Sequence, residues 1–344
     1  MSAAPDPDPI LSLRGVVKRF DQPTDIVDRT LALLTGRRKP GSVLAVAGID
    51  LDVQHGEVIG IVGESGCGKS TLGRVAAGLL APSAGEVSYQ GKTTRDMAPA
   101  EKRAYALSVQ MIFQNPYASL NPRMRVLDII GEAPRVHGIV TRAEQEDYVC
   151  DLMHKVGLDP SYRFRYPHQF SGGQRQRIGV ARALALKPTV IVCDEATAAL
   201  DVSVQAQVLN LFIELREAFK LTYLFISHNL GVVSHISDRV AIMYLGRIVE
   251  VAAAETIFTR ANHPYTQALI EQLPRLSSAH RAFEPIQGEL PSPLDPPPGC
   301  AFHPRCPYAM ARCREDLPLL RRIDDRERAG AAHLSACHLN DVTR

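Results

Sequence analysis

A mainly parallel α/β sheet with a second, smaller unit behind it is the fold class this sequence predicts. Three features predict it. Short apolar runs that read as buried strands alternate with stretches of helical periodicity. The first of these strands runs directly into a glycine-rich turn and a helix. Composition then changes after Arg260, where prolines and later cysteines accumulate. The 344 residues suffice for about two domains, and with 45% hydrophobic residues a wholly disordered or coiled-coil chain is excluded.

Element by element, residues 57–63 (Glu-Val-Ile-Gly-Ile-Val-Gly) read as a buried strand. A helix follows over Ser70–Leu80, with Leu72, Val75, Ala76, Leu79 and Leu80 on one face. Helical periodicity runs from about Arg125 to Leu158. Further buried strands are predicted at Val190–Cys193 and Tyr223–Ile226. A hairpin is predicted over Val240–Tyr244 and Arg247–Val251, turning at Leu245-Gly246. Residues 285–299 carry Pro285, Pro291, Pro293, Pro296, Pro297 and Pro298, which predicts an extended, stiff connector. The domain boundary is placed near residue 260, giving units 1–260 and 261–344.

Lys and Arg number 39 against 37 Asp and Glu, a balance that argues against a polyanion-wrapping protein. The segment Met1–Pro9 lacks the cationic-then-apolar order of a secretory signal, and no apolar run is long enough to cross a bilayer. A cytosolic chain with reduced thiols is the expectation. Cys67, Cys150 and Cys193 are scattered, whereas Cys300, Cys306, Cys313 and Cys337 crowd the tail, a clustering that reads as a metal site before disulfides.

Gly63-Glu64-Ser65-Gly66-Cys67-Gly68-Lys69-Ser70 matches G-x-x-x-x-G-K-[ST] between a predicted strand and a predicted helix, with Thr71 next in line. The glycines let successive N–H groups curl around phosphate oxygens, and the helix N-terminus adds its positive end. Lys69 offers a charge to the β- and γ-phosphates, and the Ser70 hydroxyl is a Mg²⁺ ligand. The strand ending Cys193-Asp194-Glu195 puts Asp194 near the same metal and Glu195 one step further out, where it can polarise a water. Ser171-Gly172-Gly173-Gln174 opens a helical stretch, Ile178–Leu186, and is a second phosphate grip.

Together with Gln114, Ala199-Leu200-Asp201 and His228, these motifs occur in the order found in ATP-binding-cassette (ABC) ATPases, and residues 10–260 resemble that family. The resemblance implies a P-loop NTPase core with an antiparallel β subdomain and a helical subdomain at about 115–170. It implies head-to-tail dimers in which Ser171, Gly172, Gly173 and Gln174 touch the partner's nucleotide, with Asp201 at the seam. Catalytic roles carry over to Glu195 as general base, His228 as γ-phosphate switch, Gln114 and Lys69. Mg²⁺ falls to Ser70, Gln114 and Asp194, and adenine stacking to Phe20. Ala196 and Asn229 depart from the commoner Pro and Asp of the family. Cys67, beside a helix N-terminus, is expected to have a lowered pKa and to be sensitive to alkylation.

Beyond the cassette, His263-Pro264-Tyr265-Thr266-Gln267-Ala268-Leu269, Gly288-Glu289-Leu290-Pro291-Ser292-Pro293, Gly299-Cys300 and Arg305-Cys306-Pro307 resemble the C-terminal extension of oligopeptide and dipeptide importers. Tyr117-Ala118-Ser119-Leu120-Asn121-Pro122-Arg123 resembles the F-type paralogue of their two ATPases. The resemblance implies a peripheral subunit on the cytoplasmic face of the membrane. Its partners would be a paralogous ATPase, two transmembrane permease subunits and, indirectly, an extracytoplasmic substrate-binding protein, with no nucleic acid. Nickel and sugar importers carry similar tails, so the cargo stays open. The cysteine spacing C-x5-C-x6-C-x23-C fits neither a zinc ribbon nor a bacterial ferredoxin run. The subfamily resemblance implies a [4Fe–4S] cluster on Cys300, Cys306, Cys313 and Cys337; zinc and unligated thiols are the alternatives.

Overall fold

The structure, a computed structural model, describes residues 8–21, 42–115, 119–198, 200–273, 288–323 and 332–341. The strands, in chain order, begin with β1 (Leu11–Phe20), β2 (Val43–Val53), β3 (Val58–Val62), β4 (Ala84–Tyr89), β5 (Lys92–Thr93) and β6 (Val109–Ile112). They continue with β7 (Val190–Asp194), β8 (Thr222–Ile226), β9 (Arg239–Tyr244), β10 (Arg247–Ala253), β11 (Arg321–Arg322) and β12 (Leu334–Ser335). Helices α1 (Lys69–Ala76), α2 (Pro99–Ser108), α3 (Val126–Val136), α4 (Gln145–Lys155) and α5 (Gly172–Leu184) precede α6 (Val202–Phe219) and α7 (Leu230–Ile236). α8 (Ala254–Arg260), α9 (Pro264–Glu271) and α10 (Ala311–Glu315) lie in the last third of the chain.

Two sheets organise these elements. One is antiparallel, in the order β2-β1-β4-β5; the other runs β11-β12-β10-β9-β3-β8-β7-β6. In the larger sheet β6, β7, β8, β3 and β9 are mutually parallel, and β10, β12 and β11 add antiparallel edges. β3, β7 and β8 are buried at every residue. That is why they read as unbroken apolar runs: a parallel strand covered on both faces has no polar side to alternate with. Each of their fully buried Val, Ile or Leu side chains contributes ~1.5–3 kcal/mol of apolar transfer free energy.

Each predicted core strand lies within a residue of its expected span, and the hairpin turns at Leu245-Gly246 as read. Two helical expectations change. The helix after the glycine-rich turn stops at Ala76, because Gly78 (φ 71°) reverses the chain and Leu79 is left 56% exposed. The stretch from 125 to 158 is two helices, α3 and α4, separated at Gly138 (φ 70°). The proline-rich connector also differs from its expectation. Within residues 288–299 the chain turns, the Asp295 N–H bonding to the Ser292 carbonyl at 3.2 Å, and exposed Pro293 lines a cleft with residues 65–71; Pro285 lies outside the described residues.

The tail is knitted into the same core. β12 pairs with β10 through Glu250↔Ser335 and Val251↔Leu334, and Tyr265 and Phe302 pack in the apolar cluster that contains Val58, Tyr223 and Tyr244. Beneath this joint, Glu250 is fully buried. Its carboxylate accepts hydrogen bonds from the backbone N–H groups of Asn262 (2.7 Å) and His263 (3.0 Å) and meets His333 Nε2 at 2.7 Å.

His263 caps α9, its Nδ1 accepting the Tyr265 N–H at 3.1 Å. Burial lowers its pKa to about 4, outweighing the raising effect of Glu250. The unfolded chain takes up this proton near pH 6.5, so stability is fully present above 6.5 and is lost as pH falls towards 4. The loss is on the order of 3 kcal/mol at most. The expected result is a melting temperature that falls between pH 6.5 and 4, with a shallower slope in His263→Asn; equal slopes in both proteins would count against this account.

Candidate active site

The glycine-rich turn Gly63–Gly68 joins the end of β3 to the start of α1, at the carboxyl edge of the parallel strands. Two glycines are dictated by space. A Cβ on Gly63 would lie 2.1 Å from the Met243 carbonyl oxygen, and one on Gly68 (φ 104°) would lie 2.0 Å from that of Ala45. Lys69, 4% exposed, crosses the loop: its Nζ donates to the carbonyls of Gly63 (2.7 Å) and Glu64 (2.9 Å). The loop is therefore curled around its own lysine, with the helix N-terminus behind it.

Two carboxylates reach this site from the end of β7. At the end of β7, Asp194 accepts the Ser70 hydroxyl at 2.7 Å. Burial raises the Asp194 carboxyl above its usual range, and the Ser70 hydrogen bond, Arg74 and Lys69 partly offset this. Glu195 follows in the left-handed region (φ 48°), its N–H donating to the Ile226 carbonyl of β8 at 2.9 Å. Its carboxylate accepts Gln114 Nε2 at 2.7 Å and stands 3.2 Å from His228 Nδ1. The strained turn at Glu195 aims the carboxylate off the strand end, and two polar partners fix its direction.

The result is one cleft of about 250 Å³, lined by Ser65–Thr71 together with Val43, Leu44, Ala45, Gln114, Glu195, Leu245, Gly246 and Pro293. Ser70 and Gln114 line the cleft and Asp194 bonds Ser70; their hydroxyl, amide and carboxylate oxygens are a donor set suited to Mg²⁺. Phe20 does not line this cleft. It is 41% exposed, lies under Lys18 at 5.4 Å, and pairs in register with Val43, which does line it.

Ser171 is exposed at the N-terminus of α5, away from the cleft that holds Lys69. It forms a reciprocal cap with Gln174, Ser171 Oγ accepting the Gln174 N–H and Gln174 Oε1 accepting the Ser171 N–H. Gly172 and Gly173 follow in the first turn, the latter beside Val204. Asp201 is exposed at the N-cap of α6. Asn229 caps α7, its side chain accepting from the N–H groups of Gly231 and Val232, a role that the commoner Asp fills equally well.

Two cysteine expectations need correction. Cys67 is 1% exposed and burial pushes its thiol up, opposite to the lowering expected at a helix N-terminus, so it is not positioned for alkylation. In the tail, no group of three or more His, Cys, Asp or Glu among the described residues is arranged to hold a metal ion, so neither cluster nor zinc gains support from that geometry. The four tail cysteines are nevertheless free and mutually close. The Cys300 N–H bonds to the Cys313 carbonyl at 2.9 Å, and the Cys337 thiol feels those of Cys300, Cys306 and Cys313. Burial, then these neighbours, push Cys300 and Cys337 up to about 11.

What the motif reading missed is the support behind the loop. The Glu64 N–H donates to the Tyr265 hydroxyl (3.0 Å), and the Glu64 carboxylate binds Arg305. Both partners belong to quoted motifs of the tail, but sequence separations of 201 and 241 residues conceal the contact.

A phosphate loop at the end of a central parallel strand, with a carboxylate fixed beyond it, defines a P-loop nucleoside triphosphatase. Residues 46–198 match the family described as "ABC transporter", and residues 249–313 match "Oligopeptide/dipeptide transporter, C-terminal region". The chain is 46% identical over 334 residues to the oligopeptide transport ATP-binding protein AppF of Bacillus subtilis, covering 96% of this chain and 97% of that one. It is 48% identical over 297 residues to the di/tripeptide transport ATP-binding protein DppF of Pseudomonas aeruginosa, covering 86% and 90%. Its fold is similar to that of the ATP-binding cassette MJ0796 in a dimeric post-hydrolysis state bound to ADP and Pi, at a TM-score of 0.60 and 24% identity, covering 71% of this chain and 98% of that one. The chain belongs to the ATP-binding subunits of oligopeptide/dipeptide ABC transporters.

Proposed function

We propose that this chain is the F-type ATP-hydrolysing subunit of a di- or oligopeptide importer, and that it powers uptake through separate transmembrane subunits. The observation that carries the reading is the single cleft in which Lys69, Ser70, Gln114 and Glu195 meet, with His228 beside Glu195. Lys69 and the loop N–H groups bind the phosphates, and Ser70, Asp194 and Gln114 hold Mg²⁺, which neutralises charge on the β- and γ-phosphates when bound. Glu195 takes a proton from the attacking water, and Gln114 and His228 fix its carboxylate.

Ser171, Gly172, Gly173 and Gln174 act across a dimer on the partner's nucleotide, with Asp201 at the seam. Their exposure and distance from this chain's own cleft support that reading. The partner is a paralogous ATPase, and the subunit lies on the cytoplasmic face of the membrane; among the described residues no helix is long and apolar enough to cross a bilayer. Phe20 is assigned to adenine stacking on its pairing with Val43 at the cleft wall. Residues 1–260 form the ATPase unit, with its helical part at about 115–170, and 261–344 the extension. The groove between Arg123, Asp128, Arg135 and Tyr166 is the docking site for a permease subunit. The test is reconstitution with permeases and binding protein: ATP-dependent peptide uptake is the expected result, and uptake of nickel or a sugar alone would replace the cargo assignment.

Cys300, Cys306, Cys313 and Cys337 are proposed as [4Fe–4S] ligands on the family resemblance alone. No step of the ATPase cycle runs through them. Anaerobically purified protein should show broad visible absorbance that is lost in Cys306→Ser; colourless, zinc-loaded protein would overturn the assignment.

A further inference from the structure

The phosphate loop is braced from outside by the tail. Arg305, its side chain 5% exposed, reaches the Glu64 carboxylate with both terminal nitrogens, Nη1 to Oε2 at 2.7 Å and Nη2 to Oε1 at 3.0 Å. The same Nη1 lies 3.5 Å from the Tyr244 hydroxyl. Glu64 is held at its other polar groups as well. Its N–H donates to the Tyr265 hydroxyl, and its carbonyl accepts Lys69 Nζ. Two of the partners that tie this one loop residue, Tyr265 and Arg305, come from beyond residue 260.

Arg305 is itself placed by the cysteine-bearing segment. It ends the short 3₁₀ turn His303–Arg305, which the Cys300 carbonyl opens by accepting the His303 N–H at 2.9 Å. Phe302, 2% exposed, anchors that turn between Tyr244 and Tyr265, at ring-centroid distances of 5.4 and 5.3 Å. The turn that carries Arg305 is thus anchored on a packed aromatic trio.

We propose that Arg305 is a positioning residue for the ATP site: it fixes Glu64, and through Glu64 the curl of the phosphate loop, so that nucleotide affinity depends on the folded tail. This rests on the assignment of the loop and Lys69 to ATP made above. Two physical effects act together. A buried, bidentate arginine–carboxylate pair holds geometry that a single contact does not. It also neutralises a carboxylate set in a loop that must receive a polyanion; without Arg305, that charge opposes the triphosphate.

The experiment measures binding of a fluorescent ATP analogue, and kcat and KM for ATP, on the full chain, with melting temperature as a folding check. Arg305→Ala is expected to weaken ATP binding about tenfold, with KM rising in step and kcat changing much less. Arg305→Lys, which keeps charge but loses the fork, should fall between. Glu64→Gln placed in the Arg305→Ala background should recover the part of the affinity lost to the stranded charge, but not the part lost with the fork. Arg312→Ala, which removes exposed tail ion pairs to Asp316 and Asp341, should leave affinity unchanged.

Folded Arg305→Ala with wild-type affinity overturns the proposal. So does failure of Glu64→Gln to recover binding, or an equal loss in Arg312→Ala, which would mean general damage to the tail. If Arg305→Ala does not fold, Arg305→Lys decides: wild-type affinity there rejects it. Lys69→Ala separates the two levels. Wild-type ATP binding in Lys69→Ala defeats the site assignment itself, whereas its loss beside unaffected Arg305 variants defeats only this inference.

Discussion

Glu195→Gln is expected to slow ATP hydrolysis by about 10²-fold or more while ATP stays bound, the scale of a lost general base. The substitution keeps the side chain's shape and leaves the left-handed turn held by the Glu195 N–H to Ile226 bond. What it removes is the basic oxygen that Gln114 and His228 orient at 2.7 and 3.2 Å. Binding groups on the loop are untouched, so affinity should survive and an ATP-loaded dimer should accumulate. Single-turnover phosphate release, with ATP retention measured on the same sample, checks both halves. Turnover near the wild-type rate would remove Glu195 from the role of base and pass it to another group near the γ-phosphate.

The parts of this site that were legible in the sequence are those whose constraint is local. The loop needs glycines at Gly63 and Gly68 because neighbouring carbonyl oxygens stand 2.1 and 2.0 Å from where a Cβ would be, and that demand is written at fixed spacing. The core strands were legible because burial on both faces leaves them polar residues only at their ends, Asp194 and Thr222. Helix ends were less so, since the stop at Ala76 is made by Gly78 while the apolar pattern continues to Leu80.

Long-range placement was not legible. Nothing near Cys67 in the chain announces that Met243 and Ala45 will close over the loop, so a helix N-terminus alone suggested an activated thiol where burial produces an inert one. The cleft wall made by Val43, Leu44 and Ala45 was missed for the same reason, and so was Pro293, which arrives from a segment read as an extended, stiff connector. The tail motifs containing Tyr265 and Arg305 were recognised as family marks, but their physical purpose is visible only where both reach Glu64. A marker of ancestry and a structural brace are the same residues seen at two distances.

Lys69→Ala carries the second large effect, on binding rather than chemistry. Among the described residues Nζ is the one cation in the cleft lining, and it bonds the consecutive carbonyls of Gly63 and Glu64. Its removal deletes a charge aimed at the phosphates and also leaves those two carbonyls facing the anion without a donor between them. Hydrogen bonds to a charged group contribute ~1.5–3 kcal/mol each, so a loss of about 100-fold in ATP affinity is expected. Lys69→Arg should not restore it, because a planar guanidinium does not fit a side chain buried to 4% exposure between two carbonyls. Adenosine, which has no phosphate, should bind the wild type and Lys69→Ala alike. Equilibrium titration of both nucleotides against each protein makes the comparison. A Lys69→Ala protein that loses adenosine and ATP equally would mean a collapsed loop, and one that keeps both would mean the phosphates bind elsewhere.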